Sequence, residues 1–216
     1  AAMALALASG IAQTAVLMLA VVLLVLALFF AGYEVSRPAL RQIMPTLVLA
    51  ALATAGRILF AAVPDVKPVS AIAIIAGATL GRRCGFMVGA LAALTSNFFF
   101  GQGMWTPWQM YGWGIVGYLG GVLADAGALT RPDGRPRRAA LAVAGVVSGF
   151  VFGAVVNMYD VIGYLHPFTW AGAVARVSAA LPFDITHGLA TSAFLLFLYD
   201  PWTRRIERVV RKYGLR

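Results

Sequence analysis

The sequence predicts an all-α, polytopic membrane protein, a bundle of helices that cross a lipid bilayer. Of its 216 residues, 61% are hydrophobic and only 12% are charged, and the mean hydropathy is +0.85. A soluble domain of this length needs far more polar surface. The charged residues also cluster in short gaps between apolar runs, which is typical of spanning helices joined by loops.

Seven apolar runs follow one another, separated by charged or Pro- and Gly-rich breaks. They cover 3–30, 43–63, 69–80, 84–100, 108–129, 139–165 and 169–199. A spanning helix needs roughly 20 apolar residues. The third run is therefore short, and we expect it either to borrow flanking residues or to cross only part of the bilayer under a cover of protein. The first run is too long for a signal peptide and lacks a basic start, so we expect a spanning helix there.

These runs divide the chain into three parts. We predict an extra N-terminal transmembrane helix in 1–36, a six-helix membrane core in 37–203, and a basic cytoplasmic tail in 204–216 that could form a short surface helix.

The basic residues predict the orientation. Numbering the gaps alternately as inside and outside places fourteen cations on one side and only Lys67 on the other. The fourteen are Arg37, Arg41, Arg82, Arg83, Arg131, Arg135, Arg137, Arg138, Arg204, Arg205, Arg208, Arg211, Lys212 and Arg216. The positive-inside rule then predicts a multi-pass protein of a bacterial inner membrane, with a cytoplasmic C-terminus and loops 64–68, 101–107 and 164–170 outside. The net charge of +9 is explained by topology, and we expect no nucleic-acid partner.

Small residues recur at every fourth position in several runs. They include Gly77, Gly81, Gly85, Gly89 and Ala93, the set Gly145, Gly149 and Gly153, and the pairs Gly117–Gly121 and Ala51–Ala55. In lipid such stripes allow helix backbones to approach closely. The stripes either pack within the chain or dock against a separate membrane subunit, and the pattern alone favours neither.

Polar residues at membrane depth mark the candidate site. Ionisable groups there cost roughly 2.5–3.5 kcal/mol each, so each needs a reason. Five ionisable residues and two amides lie at similar depth: Arg57, Asp160, Arg176, Asp184, His187, Asn97 and Asn157. Aromatic residues also cluster near the outer loops. Both observations favour an outward-facing pocket. Two alternatives remain. The charged residues could form buried ion pairs between Arg57 or Arg176 and Asp160 or Asp184, and the aromatic residues could form a belt at the membrane interface. The candidate substrate-binding residues are Arg57, Asn97, Gln102, Trp105, Trp108, Gln109, Asn157, Tyr159, Asp160, Asp184 and His187.

Motifs for catalysis or metal binding are missing from the sequence. There is no nucleophile elbow, no zinc-protease motif and no Walker A loop, and Cys84 is the only cysteine. We predict no metal site, no cofactor and no enzymatic activity. The alternative is a membrane enzyme that uses Asp184 and His187 on lipid or isoprenoid substrates; a membrane scaffold without a pocket is a third.

Two segments carry a family resemblance. The first segment comprises residues 56–60 and 64–68. The second is the stretch from Ser96 to Met110 (SNFFFGQGMWTPWQM), continued by Trp113, Gly114 and Gly117. Both segments resemble substrate-binding S components of energy-coupling factor transporters. The likeness is clear over 50–121, and the first 40 residues depart from the usual six-helix plan.

The resemblance implies a vitamin-binding subunit with an S-component-like six-helix core. Its ligand is expected near the outer face, under the first and third loops, and its partners are a transmembrane T component and two cytoplasmic ATPases. Ala51 and Ala55 match the Ala-x-x-x-Ala motif that contacts the T component in that family. The Trp-Thr-Pro-Trp-Gln loop is most similar to members linked to cobalamin; riboflavin, pyridoxine and a queuosine precursor remain alternatives.

Overall fold

The computed structural model describes residues 11–35 and 40–214. Within these ranges the chain forms seven helices and no strand, so the prediction of an all-α chain is confirmed there. The helices are α1 (Ile11–Val35), α2 (Leu40–Leu59), α3 (Val69–Leu80), α4 (Arg82–Phe100), α5 (Thr106–Asp125), α6 (Arg138–Tyr164) and α7 (Trp170–Tyr213). Residues 3–10 of the first predicted run, and the predicted cytoplasmic cations Arg37 and Arg216, lie outside the described residues, as does the side chain of Arg41.

Three of these helices, α4, α6 and α7, are long and apolar enough to cross a membrane. Shorter apolar stretches of 10–17 residues occupy Leu19–Val35, Ile43–Leu59 and Val69–Leu80. Because of these three helices, we treat the chain as a membrane protein below.

The helices alternate in direction, which gives the bundle two ends. At one end Arg82 at the start of α4 bonds Asp125 at the end of α5, with 2.6 Å between Nε and Oδ2. The Arg83 guanidinium donates to the Gly32 carbonyl near the end of α1, so α1 finishes at the same end. We call this the Arg82 end. The opposite end, with the turn 101–105, is called the Trp105 end.

The short helix α3 lies at the centre of the bundle. Ten of its 12 residues are buried, and it packs against α2, α4, α5 and α7. Of the two expectations for this run, a partial crossing covered by protein describes the structure. At about 1.5 Å per residue, α3 is about 18 Å long, whereas α6 has 27 residues and α7 has 44. Ser70 at the start of α3 contacts His187, which lies about 25 Å along α7 from Trp170 at the same rise. The N-terminus of α3 therefore stops well short of the Trp105 end.

Glycines allow α3, α4 and α5 to approach at backbone distance. A Cβ atom on Gly77 would overlap the Gly117 carbonyl oxygen and lie 2.7 Å from the Gly121 nitrogen. A Cβ atom on Gly85 would also overlap the Gly117 oxygen. These members of the predicted small-residue stripes pack within the chain, as close helix packing in lipid requires.

Gly81 departs from the packing within the chain that its place in the stripe allowed. This residue is not part of a packing stripe, because a Cβ atom there would meet nothing within 4 Å. Gly81 instead forms the turn between α3 and α4 with φ = 99°, a backbone conformation that favours glycine.

The first helix packs on the bundle through aromatic and aliphatic side chains. Phe29 stacks on Phe86 of α4, with 3.9 Å between ring centroids. Val22 and Leu26 of α1 join Phe86, Ala90 and Trp108 in one buried cluster. This contact attaches α1 to α4 and α5, and α1 also contacts α6.

The last helix is longer than predicted. We expected a break between the seventh run and a tail at 204–216, but α7 continues through Pro182 and Pro201 to Tyr213. A proline removes one backbone hydrogen bond without necessarily ending a helix. Trp202 and Ile206 also pack against the buried core. These contacts continue the helix into the segment that was expected to be a separate tail.

Candidate ligand-binding site

Arg57 near the end of α2 is the central charged residue of the candidate site. Its Nη1 atom donates to Ser96 Oγ at 2.5 Å and to Asn97 Oδ1 at 2.7 Å, both on α4. These are neutral acceptors, and no carboxylate of the described residues lies within 4.0 Å of the guanidinium. The Arg57 charge is therefore held in place without being neutralised.

Asn97 connects Arg57 to the Trp105 end of α5. The Asn97 side chain is only 1% exposed, and its Nδ2 atom donates to Thr106 Oγ1 at 3.0 Å and Gln109 Oε1 at 2.9 Å. Thr106 in turn donates to Gln102 Oε1 at 2.9 Å. Because every polar atom of the Asn97 amide has a partner, this network fixes the position of Arg57 relative to the 101–105 turn.

Aromatic rings enclose Arg57 and extend across the bundle. The guanidinium carbon lies 4.7 Å from the Phe100 ring centroid and 4.8 Å from that of Trp113. Trp113 stacks on Phe152 at 4.4 Å, and Phe152 stacks on His187 at 5.0 Å between centroids. His187 Nε2 then pairs with Ser70 Oγ at 2.7 Å.

This succession of contacts forms one layer at the N-terminus of α3, which we call the Arg57 layer. It takes side chains from α2, α4, α5, α6, α7 and α3, in the residues Arg57, Phe100, Trp113, Phe152, His187 and Ser70. Trp113 is 3% exposed, and its Nε1 atom has no hydrogen-bond partner among the described residues. The layer therefore links six helices through consecutive side-chain contacts.

A second polar group lies on α6 and α7. Asn157 Nδ2 donates to Asp184 Oδ2 at 3.2 Å. The Asp184 carboxylate lies over Gly153, where any Cβ atom would overlap it. The spacing from Asp184 to His187, one helical turn, places this carboxylate just beyond the Arg57 layer toward the Trp105 end.

Of the remaining predicted site residues, Asp160, Tyr159 and Trp105 lie nearer the surface, whereas Trp108 is buried. Asp160 pairs with Arg176 at 2.5 Å between Oδ2 and Nη1, and both side chains are more than a third exposed. Tyr159 bonds Tyr164 through the two hydroxyls at 2.7 Å, and its ring lies 6.0 Å from that of Trp108. Trp105 is 40% exposed and packs over Gly103 in its own turn.

The turn between α2 and α3 carries two further charges. Lys67 donates to the carbonyl oxygens of Phe60 and Val63. Burial lowers the pKa of Lys67, the Asp65 carboxylate partly offsets this, and the positive charge of Arg57 adds to the lowering. Burial raises the pKa of Asp65, and Lys67 acts in the opposite direction. Asp65 also lies within electrostatic reach of Asp184, so this turn faces the same region as the Arg57 layer.

Changing Asp65 to asparagine should alter the pH dependence of stability. Because the folded pKa of Asp65 is raised, the folded state holds its proton more tightly than the unfolded state. Its contribution to stability is greatest below the unfolded pKa and is lost as the pH rises through the folded pKa. Asp65→Asn should remove this loss and be the more stable protein at neutral pH. Asn also tolerates the left-handed φ of 55° found here.

Thermal unfolding in detergent measures this difference in stability between Asp65→Asn and the wild type. The pH series runs from about pH 3.5 to pH 7, which covers the ordinary range of an aspartate pKa. Parallel curves for the two proteins would contradict the assignment.

Comparison with known proteins gives one finding. Residues 36–203, which run from just before α2 to Thr203 in α7, match a family described as a family of unknown function, DUF6580. The chain belongs to DUF6580. No curated protein and no solved structure matches the chain. The matched range contains every residue of the Arg57 layer and leaves α1 outside.

In this DUF6580 protein the predicted site residues fall into separate groups. Arg57, Asn97, Gln102 and Gln109 share one hydrogen-bond network. His187 joins Arg57 only through the intervening aromatic rings, and Asn157 with Asp184 forms a neighbouring pair. Trp105, Trp108, Tyr159 and Asp160 have no direct contact with Arg57 among the described interactions. The predicted ion pair between Arg176 and Asp160 is present, whereas Arg57 has no acidic partner among the residues that the structure describes.

Several residues that contact Arg57 or belong to the Arg57 layer were not predicted as site residues. Ser96 and Trp113 lie beside predicted ones, Ser96 next to Asn97 and Trp113 one helical turn after Gln109, so helical spacing could have indicated them. Ser70 and Phe152 gave no such signal, because single serines and phenylalanines are common in apolar helices.

Asp184 and His187 do not form a relay in this structure. The hydrogen bond of Asp184 goes to Asn157, and that of His187 goes to Ser70. His187 and Ser70 are 4% and 0% exposed, so this pair is covered. No group of three or more metal-ligating side chains occurs in the part of the chain that the structure describes.

An apolar groove lies far from these residues, at the Arg82 end. It has a volume of about 430 Å³ and runs between the start of α2 and the last part of α7, lined by Met44, Pro45, Val48, Leu49, Arg205, Ile206, Val209 and Tyr213. Its lining is almost wholly apolar, so this groove has none of the placed polar groups found around Arg57.

Proposed function

We propose that this chain is the substrate-binding subunit of an energy-coupling factor type importer in a bacterial inner membrane. In this proposal six helices, α2 to α7, form the S-component-like core and α1 is an additional transmembrane helix. The Trp105 end faces outward and the C-terminus lies in the cytoplasm. The ligand is a vitamin or related micronutrient, with cobalamin favoured, and a T component with two ATPases moves it inward.

The observation that carries the proposal is the Arg57 layer. The short central helix α3 begins inside the bundle. Near its N-terminus, the Arg57 guanidinium has no carboxylate partner among the described residues, and its central carbon lies 4.7 and 4.8 Å from two aromatic ring centroids. Holding such a charge at membrane depth is costly, and intramembrane charges usually serve a ligand or ion. A few placed polar groups among aromatic rings are also typical of small-molecule sites.

Calorimetry on the detergent-purified protein tests the proposal with a vitamin panel that includes cobalamin, riboflavin and pyridoxine. We expect saturable binding of one compound with a Kd in the micromolar range or below. Protein that carries visible absorbance after purification would already indicate cobalamin or riboflavin. A panel in which no compound binds would remove the proposal.

Binding and transport should separate on different helices. Ala51 and Ala55 are exposed on α2, as a docking stripe for the T component requires. Ala51→Leu should leave ligand affinity unchanged and abolish uptake, because the larger side chain holds the two helices apart. Trp105→Ala should instead weaken binding, since Trp105 lies in the 101–105 turn beside Gln102 and Thr106 of the Arg57 hydrogen-bond network.

Ala154→Leu is the matched control, because Ala154 is another exposed alanine in the middle of a helix. Uptake by cells that contain the partner subunits, together with calorimetry, measures both quantities. Equal loss of affinity in Ala51→Leu and Trp105→Ala would refute the separation.

A further inference from the structure

The Arg57 guanidinium has an unused donor edge. It carries five N–H groups, and its described hydrogen bonds both leave from Nη1. Its remaining described contacts are with the rings of Phe100 and Trp113, which offer no oxygen to accept a hydrogen bond. The Nε and Nη2 groups therefore have no acceptor among the described residues.

This free edge matches one type of chemical group. Nε and Nη2 point in nearly parallel directions and bind two oxygens of a carboxylate or phosphate side by side. Neutral partners on Nη1 leave the full positive charge for such a group, whereas an aspartate at position 97 would have neutralised it. Lys67 adds a second cation in the neighbouring turn, and its ammonium donates only to carbonyl oxygens.

We infer that the ligand presents an acidic group with two oxygens, a carboxylate or a phosphate, to the Nε–Nη2 edge of Arg57. The inference rests on the proposed function and narrows it, because it divides water-soluble vitamins into acids and neutral compounds. The Asp184 carboxylate, whose described hydrogen bond goes only to an amide, lies on α7 and would repel an acidic group placed beside it. This repulsion favours the α2 side for the acidic group of the ligand.

Matched acid and neutral compounds test the inference by calorimetry on the purified full chain. The pairs are nicotinate with nicotinamide, pantothenate with pantothenol, and pyridoxal phosphate with pyridoxal; the last pair separates phosphate from carboxylate recognition. For the pair whose members bind, the acid should bind about tenfold to a hundredfold more tightly, since a charge-assisted bidentate contact has that effect. Arg57→Lys keeps the charge but presents a point donor, and it should reduce this preference about tenfold.

The outcomes separate the inference from the proposed function. Equal affinity for acid and neutral members overturns the inference but leaves a binding protein, and so does binding of riboflavin or pyridoxine, which have neither a carboxylate nor a phosphate, when no acid binds. An acid preference that persists unchanged in a folded Arg57→Lys protein also overturns it. Binding by no compound, acidic, neutral or from the vitamin panel, overturns both. The wild-type comparison needs no variant, so the test stands even if Arg57→Lys does not fold.

Discussion

Replacing Gly117 by alanine should destabilise the bundle more than any other single methyl addition on α5. The new Cβ atom would overlap the Gly85 carbonyl oxygen and lie 3.2 Å from the Ala73 side chain. Neither obstacle is the end of a flexible side chain, so α3, α4 and α5 must move apart. Overpacking of this kind costs about 1–3 kcal/mol and more where backbone is displaced.

Gly163→Ala near the end of α6 is the matched control, because the nearest atom to its Cβ would be 3.9 Å away. Alanine is also the better helix former by about 1 kcal/mol, so this variant should be as stable as the wild type or slightly more so. Thermal unfolding in detergent compares the three proteins. Equal melting temperatures for the two variants would show that α3, α4 and α5 do not pack at backbone distance.

Asn97→Asp should abolish most ligand binding while the protein stays folded. Aspartate has almost the shape of asparagine, so it can accept from Arg57 Nη1 as Asn97 does. It loses the two hydrogen bonds that Asn97 Nδ2 donates to Thr106 and Gln109, so the Gln109 amide must turn over to donate to it, and we also expect a lower melting temperature. The change supplies a carboxylate that neutralises Arg57 from within the protein. A ligand that depends on that charge should lose about tenfold to a hundredfold in affinity, in line with charge-assisted hydrogen bonds of about 1.5–3 kcal/mol.

The control for added charge is Thr169→Asp. Thr169 caps the first turn of α7 by accepting from Gly172 N at 3.0 Å, and aspartate performs the same capping role. Calorimetry with the compound that binds the wild type measures both variants. A similar loss of affinity in both would mean that a general electrostatic effect, and not the pairing with Arg57, is responsible.

The sequence was sufficient to predict the helices and their order. Six of the seven apolar runs have at least one boundary within a few residues of the corresponding boundary of a helix from α2 to α7. The reason is that charged and Pro-rich segments interrupt both apolar runs and helices. The exceptions have physical reasons. Pro201 does not end α7, since Trp202 and Ile206 pack against the core, and Gly81 follows the fourfold spacing of a packing stripe although its backbone conformation is that of a turn.

The candidate site was predicted less completely, because its geometry depends on where the N-terminus of α3 lies within the bundle. The spacing of polar residues indicated Arg57, Asn97 and Gln109, which lie on α2, α4 and α5. It could not show that Phe152 of α6 lies between Trp113 and His187, since that contact depends on how α6 packs against α5 and α7. Nor could it show that Arg57 has amide and hydroxyl partners where an aspartate was equally possible.

The position of the bound ligand tests the account most directly. A crystal or cryo-electron microscopy structure of the protein with the tightest compound from the calorimetric panels would give this position. We expect the ligand on the Trp105-end side of the Arg57 layer, with two of its oxygens within hydrogen-bond distance of Arg57 Nε and Nη2. A ligand bound elsewhere, for example in the apolar groove at the Arg82 end, with the Arg57 edge left free, would contradict the account.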